Sequence, residues 1–85
     1  VNPDISGVVI DVIAETFGVS ASEIARNTVA EDIDGWDSLA HTMLMIRLEK
    51  RLGVRVPERV ATMARDVGAL IDLMADIMGS RRPPP

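Results

Sequence analysis

Along the first stretch of the chain, apolar residues return every three or four positions: Ile5, Val8, Val9, Val12, Ile13 and Phe17. That spacing places them on one face of a helix. Asn2 as cap, Pro3 in the first helical position and Asp4 against the dipole form a suitable opening, and Gly18 is a natural stop. A helix is predicted over about residues 3–17. A second helical pattern follows Asp37 and ends at Gly53, predicting a helix over about residues 38–52. Its inward stripe is Leu44, Met45, Leu48 and Leu52, with His41 at the edge. Leu39, Met43 and Ile46 are apolar too, but they lie on another side of the cylinder. A surface helix needs only one apolar stripe, so the second asks for a partner, a ligand or another packing surface.

After this helix Val54 and Val56 alternate inward, and Pro57 opens a short third helix over about residues 58–64, contributing Val60 and Met63. Asp66 caps a fourth helix of about residues 67–78, where Val67, Leu70, Ile71, Met74, Ile77 and Met78 repeat at helical spacing and Gly79 ends the run. The remaining Ser80-Arg81-Arg82-Pro83-Pro84-Pro85 offers nothing to pack and reads as a disordered tail beyond a domain of residues 1–79. The pattern as a whole predicts an all-α fold, a bundle of four helices with a short third one.

Residues 18–37 make a connection that is long for so small a bundle. Ser20 and Glu23 have the spacing of a capping box for a short turn, leaving Val19 and Ile24 to face inward. Val29, Ile33 and Trp36 pin the later part, while Glu31, Asp32, Asp34 and Gly35 predict a solvated, sharply turning end. Long loops that persist in small domains often carry function.

Composition narrows the chemistry. With 85 residues there is room for one domain, and the absence of cysteine excludes disulfides and thiolate metal sites. A single histidine, His41, cannot build a histidine zinc site. Trp36 and Phe17 are the only aromatic residues, which favours packed helices over sheet. No apolar run is long enough to cross a bilayer, and the first residues do not resemble a secretory signal, so a cytoplasmic monomer is expected. No nucleophile–base pair or metal cluster can be assembled, so the chain is not expected to be an enzyme, and any chemistry must use an imported group or a partner's active site. The net charge of −4 is unevenly placed: residues 1–37 hold eight acids and one base, whereas residues 38–85 hold five acids and eight bases. The acidic half argues against general nucleic-acid binding.

The informative stretch is Gly35-Trp36-Asp37-Ser38-Leu39. Taken alone, Asp-Ser at a helix start is read as a cap. Placed at the first turn of the second helix, after a long acidic loop, it resembles the attachment motif of the acyl carrier protein family. The similarity extends over most of residues 4–78, including Gly53-Val54-Arg55-Val56-Pro57, the short third helix and the Val67-to-Leu70 start of the fourth. The resemblance implies the acyl-carrier bundle and a 4′-phosphopantetheine arm esterified to Ser38. It implies acyl intermediates held on that arm as thioesters, with a phosphopantetheinyl transferase and acyl-loading and acyl-processing enzymes as partners. Asp37 then both caps the helix and meets the transferase, and Leu39 is a contact for partner enzymes or, alternatively, packs on the loop. Met43, Ile46 and Arg47 extend that partner-binding face. A phosphodiester on Ser38 would sit where helix amides and dipole favour negative charge. Trp36 reads as a loop anchor, His41 as a polar edge residue, and the five methionines as core filler, with Met45, Met63 and Met74 able to yield to an acyl chain.

Two departures from the family pattern stand out. Carriers of fatty acid synthesis resemble one another in an acidic second helix, whereas here Arg47, Lys50 and Arg51 face a single acid, Glu49. Asp34 occupies a position that is commonly leucine. Both point to a specialised lipid or polyketide-like pathway with matched enzymes rather than to bulk fatty acid synthesis, the plain alternative being a solvated basic face with no dedicated reader. The alternatives are an aminoacyl or peptidyl carrier, whose usual Gly-Gly-His-Ser or Gly-Gly-Asp-Ser pattern Trp36-Asp37 does not match, and an unmodified helical module binding through Leu39, Met43 and Ile46.

Overall fold

A computed structural model describes residues 4–80 of the chain. Its elements are helices α1 (Ile5–Phe17), α2 (Ser38–Leu52), α3 (Glu58–Ala61) and α4 (Val67–Ser80), with two 3₁₀ turns, Ala21–Glu23 and Ala30–Asp32, in the long first connection. Among the described residues there is no strand, so the predicted all-α bundle is the observed one.

Helix α1 begins at Ile5 and not at the proline. Asp4 is its cap, the carboxylate accepting from the Gly7 amide at 3.1 Å, and the cap predicted at Asn2 with Pro3 lies outside the described residues. Gly18 ends α1 in the left-handed region at φ 67°, and Gly53 ends α2 in the same way. Each supplies the positive φ that lets the chain leave a helix without a Cβ clash.

Helices α2 and α4 both pack against α1. The core is the predicted set: Val9, Val12 and Ile13 from α1, Leu44, Met45, Leu48 and Leu52 from α2, and Val67, Leu70, Ile71 and Met74 from α4. Ile24 and Ile33 join from the loop, and Val54 from the segment after α2. Ile77 and Met78 pack against the rim of this core.

Four expectations change. The Ser20–Glu23 capping box does not form; Ser20 makes no side-chain cap bond, and its hydroxyl pairs with that of Ser22 at 2.9 Å. The third helix stops at Ala61, and Met63 is 73% exposed, so it is Ala61 that enters the core. A single helical turn can direct few side chains inward, and here that turn sets the Ala61 carbonyl 3.2 Å from His41 Nε2 of α2. Met63 therefore does not line the interior with Met45 and Met74. Finally, α4 runs through Gly79 to Ser80, because no positive φ or proline within that range interrupts it, and the rest of the expected tail lies outside the described residues.

The long loop is stitched to α4 through its backbone. Val67 donates to the Thr28 carbonyl at 2.9 Å and Gly68 to the Arg26 carbonyl at 2.7 Å, while Asp66 accepts from the Ala69 amide at 2.8 Å. These contacts satisfy amides that a helix start otherwise leaves without partners. A Cβ on Gly68 would stand 3.0 Å from the Arg26 carbonyl oxygen, so the loop lies directly on the helix.

Nothing lies within 4 Å of a Cβ built on Gly18, so replacing it by alanine introduces backbone strain without a packing clash. Gly18→Ala is expected to lower stability by about 1 kcal/mol, read as a reduced urea midpoint with an unchanged slope.

Candidate functional site

The site is built at the start of α2. Gly35, at φ 88°, turns the end of the loop, and the Asp37 amide donates to its carbonyl at 3.0 Å. Asp37 then adopts extended backbone and caps the helix, its Oδ1 accepting from the Ala40 amide at 2.8 Å. Ser38 follows as the first residue of the helix and is exposed. Its carbonyl accepts from the Thr42 hydroxyl at 3.1 Å, a bond that holds the first turn. The predicted placement of Ser38 is therefore the observed one: surface, helix N-terminus, directly after a capping aspartate.

The aromatic residues fix the loop behind this serine. Trp36 stacks on Phe17 with ring centroids 5.0 Å apart, anchoring the loop to α1. Its indole Nε1 donates to His41 Nδ1 at 3.1 Å, and His41 Nε2 lies 3.2 Å from the Ala61 carbonyl oxygen. An indole nitrogen can only donate and a carbonyl can only accept. Both ring nitrogens are therefore engaged, Nδ1 as the acceptor from Trp36 and Nε2 toward the Ala61 carbonyl. His41 ties the loop, α2 and α3 together. The sequence placed it at the helix edge, but its two partners lie five and twenty residues away, beyond the reach of local pattern.

A groove of about 680 Å³ opens beside Ser38, running between α2 and the α3 region. Trp36, His41, Met45, Ile46, Val56 and Ala61 line it, a mainly apolar wall with Ser38 and Asp37 at one end. Its size is that of sites holding small organic ligands. Leu39, Met43 and Ile46 are 72%, 49% and 46% exposed, so Leu39 does not pack on the loop and the second apolar stripe is left open to solvent. Among the described residues no cluster of His, Cys, Asp or Glu could hold a metal ion, and no helix is long and apolar enough to cross a membrane.

Taken together, a capped helix start presenting a serine at the mouth of an apolar groove suits a covalently tethered, elongated group. Comparison with known proteins agrees. Residues 7–74 match the family model described as the phosphopantetheine attachment site. An acyl carrier protein of Porphyromonas gingivalis is 34% identical over 64 residues, covering 75% of this chain and 82% of that protein. One of Rickettsia bellii is 36% identical over 69 residues, covering 80% and 79%. Among solved structures, hexanoyl ACP from the actinorhodin polyketide synthase of Streptomyces coelicolor superposes with a TM-score of 0.69 at 32% identity, covering 93% of this chain and 91% of that one.

The match first defines the class, a phosphopantetheine-binding domain. The chain belongs to the acyl carrier protein family. Its cofactor is accordingly 4′-phosphopantetheine, held covalently, and its partners include a phosphopantetheinyl transferase and acyl-processing enzymes.

The aromatic anchor can be tested directly. Trp36→Phe keeps a ring against Phe17 but leaves the half-buried His41 Nδ1 without its donor, and should cost about 1 kcal/mol in urea unfolding. Combined with His41→Ala, the loss should fall short of the sum of the two single losses, since one hydrogen bond is removed in each.

Proposed function

We propose that Ser38 carries the phosphopantetheine arm and that the protein presents acyl groups, as thioesters on that arm, to the enzymes of a specialised lipid or polyketide-like pathway. The observation that carries this reading is the exposed Ser38 at the first position of α2, beside the Asp37 cap and at the mouth of the groove. In the attachment step the Ser38 hydroxyl attacks the β-phosphorus of coenzyme A. A phosphodiester forms, the pyrophosphate bond breaks, adenosine 3′,5′-bisphosphate leaves, and the serine proton passes to a base. His41, engaged through both ring nitrogens by Trp36 and Ala61, is not assigned that role. The first amides of α2 have no partner within the helix, and together with the dipole they favour the negative phosphodiester. The arm supplies the reactive sulfur that a cysteine-free chain lacks.

Leu39, Met43, Ile46 and Arg47 form the face toward partner enzymes, and the exposure of the three apolar residues supports this. The polyketide association of the Streptomyces coelicolor carrier supports a pathway of that kind, as does the basic second half of α2. An aminoacyl carrier is less well supported, because Trp36-Asp37 precedes the serine and its indole is built into the fold.

Incubation with coenzyme A and a phosphopantetheinyl transferase should add the mass of the arm, and Ser38→Ala should abolish the addition while leaving the helical circular dichroism signal unchanged. Attachment persisting in Ser38→Ala would place the arm elsewhere. Asp37→Asn separates the two roles of its neighbour. The amide still accepts from the Ala40 amide, so stability should change by only a few tenths of a kcal/mol. Loss of the charge should slow arm attachment several-fold, measured as initial rate by mass spectrometry.

A further inference from the structure

Charge is divided between the two ends of helix α2. Before and at its start stand the exposed Glu31, Asp34 and Asp37; in its second half stand the exposed Arg47, Lys50 and Arg51. Leu39, Met43, Ile46 and Lys50 follow one another at spacings of four, three and four residues, so one stripe begins apolar beside Ser38 and ends in a cation. Arg47 flanks that stripe. From Asp37 to Lys50 the rise of the helix spans about 20 Å. This separation exceeds the screening length in 0.1 M salt, about 10 Å, so a partner meets the two ends as distinct charges.

The one acid within α2 does not neutralise the basic end. Glu49 is half-buried, and its Oε2 accepts from the Val56 amide at 2.8 Å, which turns the carboxylate toward the segment after the helix. Arg51 is paired with Glu15 of α1 at 2.9 Å, but this pair is well exposed and only partly offsets the cluster. Between α1 and α2 lies a second cleft, about 310 Å³, lined by Val12, Glu15, Arg47, Lys50 and Arg51. It offers a partner's carboxylates a recess with cations around it.

Building on the carrier reading above, we propose that this face docks a partner enzyme whose rim is acidic opposite Arg47 and Lys50 and basic opposite the acids at the Ser38 end. The apolar stripe provides contact area, and the two opposite charges set direction. A partner turned end for end would bring like charges together at both ends, which costs both affinity and encounter rate. The arm on Ser38 would therefore enter its partner from one side only.

The test uses the full chain with the arm attached, and an acyltransferase in two forms: one with a basic rim opposite the second half of α2, and the same enzyme with those rim Lys and Arg residues changed to Glu. Transfer of the acyl group to the arm is followed by mass spectrometry, giving kcat/KM at 0.05 and 0.5 M salt. The native chain should be served about tenfold better by the Glu-rim enzyme at low salt, the preference shrinking at high salt. Arg47→Glu with Lys50→Glu should reverse it; Arg51 is left in place to keep its bond to Glu15. Equal rates with both rims, or a native preference for the basic rim, would overturn the proposal. Arm attachment is measured first for each variant, so a failure of Ser38 as the attachment site appears as absent arm mass and is not confused with a failure of docking. An unchanged helical signal in the double variant shows that the fold is kept.

Discussion

The rotation of α2 about its own axis is the constraint on which the site depends. Leu44 and Leu48 are fully buried, and Met45 and Leu52 nearly so, against α1 and the rest of the core. Burying each of these side chains stabilises the fold by about 1.5–3 kcal/mol, so turning the helix to expose them would cost far more than any surface contact could return. Once that stripe is inward, helical geometry leaves no freedom to the others. Ser38, Leu39, Met43 and Ile46 must face outward, and His41 and Glu49 must stand at the margins, where each finds a backbone partner on the following segment.

The loop before α2 is held from two sides, which is why a connection of this length can position a serine. Its middle is bonded through the Arg26 and Thr28 carbonyls to the start of α4, and its end is anchored by Trp36 between Phe17 and His41. Asp37 then closes the first turn of α2. The serine thus projects from a rigid helix end although it follows an irregular segment.

Charge works on a different scale from packing here. The ion pairs Arg26–Asp72 and Arg51–Glu15 are exposed and contribute little to stability. A largely different set of charges, the acids Glu31, Asp34 and Asp37 before and at the start of α2 and the cations Arg47, Lys50 and Arg51 in its second half, creates a field that reaches beyond the surface.

Much of this was legible in the residues alone, because helices announce themselves by period. The stripes of α1, α2 and α4, the caps Asp37 and Asp66, the stops Gly18 and Gly53, and the exposed Ser38, Leu39, Met43 and Ile46 all follow from spacing and from the chemistry of helix ends. Where the sequence misled, several options were locally alike. Ser20 had the spacing of a capping box yet turned to Ser22, Met63 looked like core yet lies outside, and Gly79 looked like a stop yet continues α4. Only the tertiary structure decided that Trp36, His41 and Ala61 join in one chain of hydrogen bonds, that Gly68 must be bare to admit the loop, and that Glu49 is drawn away from the basic face. Those contacts run outside the helical period, and periodicity carries no record of which group on another segment will stand opposite a given side chain.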